Sequence, residues 1–469
     1  MVNVKKDTVN RFLCKAVSVY AIVLVMLNAL RIFDNNFWGD EAFTIRLSKM
    51  DFVSMLQATA EDVHPPLYYW IVQLACRLLG YSGEVYHFVS FVPYVLIIIV
   101  AMTMIRKRFG LSASVVLVTL SSLLDTSISY NVEVRMYSWG ALFLLMSFLE
   151  LYEILTVNRK KDYVLFVLFS LAGAYTHYYC LVSVAFFYIV LIGVACIRRK
   201  EYFVKTAVSC VATVALYLPW FIVLLATFQR TMGDFWMTGI PYLKDCFGFL
   251  FSGSLQYILF VVMLVSVAAA IRYKREDQAW ILWLLAGLGS IFGTIAVGNL
   301  ISRIFRPVFI VRYLYPVAII AWTVLAVGIS CCKKKYLYAA VLTAALLFTG
   351  IPKYAEISRS EKAQDELLQE TLEATKQAVG AGNTIWTDLQ YIDWTVADYY
   401  YPEAEHALID MTDIPMLKED RTYWLMTQTQ ISPEITEQLT KQGYSPVVIV
   451  EQGTLGTNPV RVYRLEKMQ

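Results

Sequence analysis

Between two long apolar runs the chain reads Trp38-Gly39-Asp40-Glu41 and then Asp62-Val63-His64-Pro65-Pro66-Leu67-Tyr68-Tyr69. Three carboxylates before a histidine, in a connection as long as 34–85, stand out because almost everything around them is hydrocarbon. The chain is 58% hydrophobic and 16% charged, against roughly 25% charged in soluble domains. Apolar stretches of about 20 residues, enough to cross a bilayer, recur over the first three quarters. Carboxylates held just outside such a stretch point to chemistry at a lipid–water boundary. The net charge of +3 is small and carries no nucleic-acid signature; the placement of charge is what informs.

Basic clusters punctuate the apolar runs: Lys5, Lys6, Arg11 and Lys15; Arg106-Lys107-Arg108; Arg159-Lys160-Lys161; Arg198-Arg199-Lys200; Arg272, Lys274 and Arg275; and Lys333-Lys334-Lys335. Two spans fit between each cluster and the next, so all fall on one side, which the positive-inside rule makes cytoplasmic. About eleven spans result, near 16–33, 86–105, 111–129, 136–157, 164–178, 180–197, 206–228, 249–271, 278–300, 312–330 and 336–351. The first has a basic flank but no small-residue cleavage site, and reads as a retained anchor. None of the eight cysteines follows Cys332 and none forms a CxxC pair, which supports neither a zinc site nor a disulfide framework.

After Pro352 span-length runs stop. Residues 355–380, with Glu361, Asp365, Glu366, Glu370 and Lys376, read as a polar helix ending at Gly380. Short β-rich pieces at 384–386, 422–426 and 446–450, and a helix over 433–442, predict a small α/β domain. The fold class expected is therefore an α-helical polytopic membrane protein, residues 1–351, followed by an α/β domain over 352–469 that the span count puts outside. Residues 41–56 read as an interfacial amphipathic helix, and a helix restarts at Leu67 after the two prolines, with His64 at its anion-favouring start.

Several polar residues sit where the spans reach the outer side. Asp40 and Glu41 suit a general base, or the dipole of the helix they begin. His64, behind Asp62, suits a phosphate contact or an orienting partner for a carboxylate; otherwise it is a turn histidine. Asn131, Glu133, Arg135 and Tyr137 occupy a short external turn. Arg135 either snorkels to water or grips a phosphate through its planar fork, and Glu133 is its expected ion-pair partner. In Thr176-His177-Tyr178-Tyr179 the tyrosines read as an aromatic belt, with the role of His177 open. Arg303, Arg306 and Arg312-Tyr313 lie on the side where cations are disfavoured, which an anionic ligand or lipid headgroups would explain. Asp234, Trp236, Tyr242 and Lys244 form an aromatic loop, a lid or a lipid contact.

Taken in order, WGDEAFT (38–44), HPPLYY (64–69), VRMYSW (134–139), THYY (176–179) and RPVFIVRYLYP (306–316) resemble the GT-C superfamily of membrane glycosyltransferases. The resemblance is to the dolichyl- or polyprenyl-phosphate-sugar mannosyltransferase-like branch, which includes protein O-mannosyltransferases and the lipid A aminoarabinose transferase. It covers about residues 10–350. It implies a cell-membrane enzyme that transfers a sugar, with inversion, from a polyprenyl-phosphate donor to an envelope hydroxyl on the outer face. It implies Asp40 as catalytic base and Glu41 as a second catalytic carboxylate, with Asp62, His64, Tyr68, Arg135, Tyr137, His177, Arg306, Arg312 and Tyr313 binding substrate. Some relatives have a lysine where His64 stands. A divalent metal at Asp40 and Glu41 stays open, since two carboxylates fall short of a full ligand set. A transporter or flippase for lipid-linked sugars is the alternative, although its usual pair of interrupted spans in matching halves is not found. A membrane scaffold for the C-terminal domain is a third, and leaves the outer charges unexplained.

Overall fold

The computed structural model describes residues 2–198, 200–230, 239–274, 276–375, 378–388, 391–418 and 421–468. Of the residues singled out above, Arg199, Asp234, Trp236, Arg275 and Lys376 lie outside that set. The chain forms two compact units. The first comprises Met1–Ile32, Asp51–Leu79 and His87–Tyr354; the second comprises Phe33–Met50, Gly80–Tyr86 and Ala355–Gln469. The long first loop is thus divided between them.

The first unit is helical. Among the described residues, nine helices are long and apolar enough to cross a membrane, from Leu13–Phe33 to Lys335–Thr375. The chain is a multi-pass membrane protein. Two of the eleven expected spans form helices below that length. The stretch expected at 111–129 breaks at Leu124, whose ψ of 148° is extended; Leu111–Leu123 ends there and Asp125–Tyr130 starts anew. The break is held by Ser127 Oγ donating to the Leu120 carbonyl, and by the Thr126 N–H donating to Ser252 Oγ at 2.8 Å. The stretch expected at 164–178 is the helix Lys160–Ala174, whose 15 residues rise about 22 Å.

The helix Tyr315–Ser330 is buried along its whole length, as an all-round apolar helix must be if it is to leave lipid. Its neighbours come close: a Cβ on Gly140 would lie 3.1 Å from Pro316, and one on Gly287 2.8 Å from Val324. Trp322 Nε1 donates to the Leu250 carbonyl at 2.7 Å, and Tyr315 Oη to Asn131 Oδ1 at 3.1 Å. Asn131 in turn donates to Asn28 Oδ1 and the Ser121 carbonyl. It belongs to a buried structural network.

The interfacial helix expected over 41–56 is two helices, Gly39–Lys49 and Phe52–Glu61. Asp51 makes the break: its side chain accepts from Val53 N and Ser54 N at 2.9 and 3.0 Å, the geometry of an N-cap. Only the second helix shows exposed apolar residues, Phe52 and Val53.

The second unit holds a five-stranded sheet: β1 (Asn383–Thr387), β2 (Glu405–Leu408), β3 (Thr422–Thr427), β4 (Tyr444–Leu455) and β5 (Asn458–Lys467). The order is β2-β1-β3-β5-β4; β1 pairs parallel with β2 and β3, and β5 antiparallel with β3 and β4. Alternation along β3 sends Trp424 and Met426 into one core and Tyr423 and Leu425 into the other. The expected helix at 355–380 is not separate. It is the end of Lys335–Thr375, which passes through Pro352, a proline that removes one ladder bond without ending the helix. Ala42 packs into the first core beside Leu368, Val396 and Val462.

The turn between β4 and β5 approaches the chain just before helix Gly39–Lys49. Gly456 has φ +59°, and a Cβ there would collide with the Phe37 carbonyl. Gly456→Ala therefore combines a left-handed backbone with a steric clash, and should lower the thermal stability of the protein, where an unstrained Gly→Ala exchange would raise it slightly. A melting curve indistinguishable from the parent would contradict the packing described.

Candidate functional site

In the first unit, four connections meet: the turn at 62–66, the turn before helix Tyr137–Thr156, the turn before helix Tyr178–Arg198, and the segment from Phe305 to the 3-10 turn Val311–Leu314. A backbone bond joins the first and third, Leu67 N donating to the Tyr175 carbonyl at 3.0 Å.

Asp62 closes helix Phe52–Glu61 in an extended conformation. Its Oδ2 lies 3.2 Å from His64 Nδ1 and accepts from Tyr69 Oη at 3.3 Å. Arg135 Nη1 donates to Tyr69 Oη, and Arg135 Nη2 lies 3.4 Å from His64 Nδ1. The two contacts of His64 Nδ1 compete, because a proton there serves Asp62 and a lone pair serves Arg135. Burial opposes the charge on Asp62, but the His64 hydrogen bond and the charges of His64 and Arg135 together hold its carboxyl below the usual range. Arg135 is only 2% exposed, so it is not snorkelling.

The rings form one cluster. His177 lies 5.0 Å from Tyr313, 5.7 Å from Tyr137 and 5.9 Å from His64, and Tyr179 stacks on Tyr313 at 5.6 Å. Tyr179 is buried and donates to the Val308 carbonyl, so it is not the lipid-facing belt residue expected. Tyr178 accepts from Trp220 Nε1. Burial first, then the charges of His64, Arg135 and Arg312, hold the His177 imidazole well below its ordinary pKa. Tyr68 is tied instead to Ser90, its Oη 2.8 Å from Ser90 Oγ.

A cavity of about 300 Å³ opens beside this cluster. Its walls are apolar: Leu181 and Val182, Leu224, Leu225 and Phe228, Ile301 and Phe305. Polar groups come from His64, His177, Thr227, Arg306 and Tyr313. The Arg306 guanidinium lies over the Phe228 ring at 5.7 Å, a cation–π contact. An apolar cleft with a few convergent polar groups is the usual form of a small-molecule site; here the ligand it suits has a long hydrocarbon part and an anionic end.

Asp40 and Glu41 lie in the second unit, buried in the first turn of helix Gly39–Lys49. Glu41 Oε2 accepts from the Trp38 N–H at 3.2 Å, so it caps the helix, while Thr44 Oγ1 donates to the Asp40 carbonyl. A second cavity, of about 270 Å³, is lined by Arg46, Lys49, Thr395, Asp398 and Tyr399 of that unit. Among the described residues no three His, Cys, Asp or Glu side chains gather as metal ligands. Tyr69, Thr227 and Phe228 were not anticipated. Tyr69 stands inside the quoted motif, but nothing in the sequence separates cavity-facing Phe228 from lipid-facing neighbours.

The family model for dolichyl-phosphate-mannose-protein mannosyltransferase matches residues 63–224. No curated protein sequence matches the chain. Among solved structures, ArnT from Cupriavidus metallidurans in the apo state superimposes with a TM-score of 0.64 at 10% identity, covering 96% of this chain and 98% of that one. ArnT from the same organism bound to undecaprenyl phosphate gives 0.62 at 11% identity, covering 95% and 97%. The chain has the ArnT-like fold. The family model covers about a third of the chain, within its first half, and the ArnT-like fold covers nearly its whole length.

Asp62 supplies a test of the cluster. Its depressed folded pKa means that its contribution to stability is present in full above the unfolded value of roughly 3.9 and is lost as pH falls further, through the folded value. Asp62→Asn should lower the melting temperature at pH 7, and the gap from the parent should narrow as pH is taken from 7 to about 2.5, toward the depressed folded value. An equal gap at both pH values would rule out the charged role.

Proposed function

We propose that the chain is an inverting glycosyltransferase, which moves a sugar from a polyprenyl-phosphate donor to a hydroxyl acceptor of the envelope, on the outer face of the cell membrane. The observation that carries this reading is the cavity: apolar along its walls, with His64, His177, Thr227, Arg306 and Tyr313 contributing its polar groups. It suits an isoprenoid chain with an anionic head, and the similarly folded ArnT was solved bound to undecaprenyl phosphate.

Sidedness supports the outer face. The turns that build the site alternate along the chain with the basic clusters at 106–108, 159–161, 272–275 and 333–335, which the positive-inside rule keeps cytoplasmic. The same count puts the α/β domain outside. No nucleotide-sugar pool exists there, so an activated sugar must arrive on a lipid.

Displacement at the anomeric carbon builds positive character on the sugar and negative charge on the departing phosphate. Arg135, Arg306 and Arg312 stabilise that charge, and their planar forks suit phosphate oxygens. Asp40 takes the proton of the attacking hydroxyl. Glu41 and His64 have positioning roles, Glu41 by capping the helix that carries Asp40. A single in-line attack inverts the anomeric centre and needs no covalent enzyme intermediate. Asp62, Tyr137 and Tyr313 shape the site around the donor head.

Purified protein in lipid, supplied with labelled polyprenyl-phosphate sugars and envelope acceptors, should release polyprenyl phosphate only when an acceptor is present. Asp40→Asn, folded as judged by its melting curve, should slow transfer by about 100-fold or more. Transfer by that variant at the parental rate would remove Asp40 as base. Donor movement across vesicles without any transfer would replace the enzyme reading with a transporter.

A further inference from the structure

His177 has one ring nitrogen committed and one waiting. The Tyr179 N–H donates to His177 Nδ1 at 3.2 Å, so Nδ1 must present its lone pair, and a single ring proton resides on Nε2. His177 is 2% exposed, and among the described residues Nε2 is buried with no hydrogen-bond partner. A buried N–H group without a partner is rare unless a ligand or water supplies one. The same side chain lines the apolar cavity beside Arg306.

We propose that His177 is a neutral hydrogen-bond donor that binds, through Nε2–H, a phosphate oxygen of the polyprenyl-phosphate donor. This rests on the reading of the cavity as the donor site. The groups facing the ring all favour the uncharged form or leave it unchanged: His64 from the turn at 62–66, Arg135 and Tyr137 from the entry to helix Tyr137–Thr156, Tyr179 on its own helix, and Arg312 and Tyr313 from the 3-10 turn. A fourth cation among these arginines would repel its neighbours, whereas a neutral donor adds a directed hydrogen bond without adding charge. The bond strengthens as charge accumulates on the leaving phosphate. The ring does not need to give up its proton, because a phosphate is a stable leaving group as the anion.

The experiment uses the full-length protein in detergent micelles, with polyprenyl phosphate as probe and the uncharged polyprenol as control. Nitrogen NMR of histidine-labelled protein, with the His177 signal assigned by its loss in His177→Phe, should show a neutral ring protonated at Nε2 between pH 6 and 8. Its Nε2 resonance should move when polyprenyl phosphate, but not polyprenol, is added. His177→Phe should weaken polyprenyl phosphate binding roughly tenfold or more and leave polyprenol binding unchanged. His177→Gln, which keeps an N–H near the same place, should recover most of the loss. An imidazolium at pH 7, a proton on Nδ1, or a resonance indifferent to the phosphate would overturn the proposal. A protein that binds the probe through His177 yet transfers no sugar would refute the transferase reading and leave this one standing.

Discussion

The first unit is organised by one helix that touches no solvent. Tyr315–Ser330 is enclosed over its whole length, so packing alone sets its position, and every neighbour must match its surface. Gly140 and Gly287 exist where a side chain would meet Pro316 or Val324. Trp322 and Tyr315 anchor it to the Leu250 carbonyl and to Asn131. Because the 3-10 turn Val311–Leu314 runs directly into this helix, Arg312 and Tyr313 inherit its rigidity. Because Asn131 begins the turn that carries Arg135, that turn is tied to the same scaffold. A site built from four connections holds its shape because the helices behind them cannot shift independently.

Charge then decides what such a site holds. A buried guanidinium is tolerated only with hydrogen bonds and counter-charge around it, and Asp62, Tyr69 and His64 surround Arg135 in that way. Arg306 lies just past the end of helix Gln278–Ile304, and the cavity it borders is otherwise largely hydrocarbon. An amphipathic anion satisfies both conditions at once, whereas a soluble sugar nucleotide would leave the apolar walls unused.

Much of this is legible in the sequence. Span-length apolar runs and regularly spaced basic clusters announce a polytopic membrane protein, and WGDEAFT, HPPLYY and RPVFIVRYLYP mark the segments where the polar residues concentrate. Other features were hidden for definite reasons. The break at Leu124 comes from an extended ψ and from the contact of Thr126 with Ser252, 126 residues away in sequence, which no local pattern encodes. The division of residues 41–56 turns on Asp51 acting as a cap, a role indistinguishable by composition from a charge on a polar helix face. Strands β2 and β5 lack the long β-branched runs that mark β4. Phe228 and Leu225 look in sequence like any residues facing lipid, because a lipid chain in a cavity and a lipid chain in the bilayer ask for the same side chains.

The central claim is that the cavity beside His64, His177, Arg306 and Tyr313 receives a lipid-linked phosphate. The most direct measurement is an experimental structure of the protein in a lipid nanodisc with polyprenyl phosphate added. The account predicts a phosphate within hydrogen-bond distance of Arg306 and His177, and isoprenoid density running along Leu181, Leu225 and Phe305. A headgroup bound elsewhere, or a cavity filled by protein side chains when the lipid is present at saturation, would contradict it.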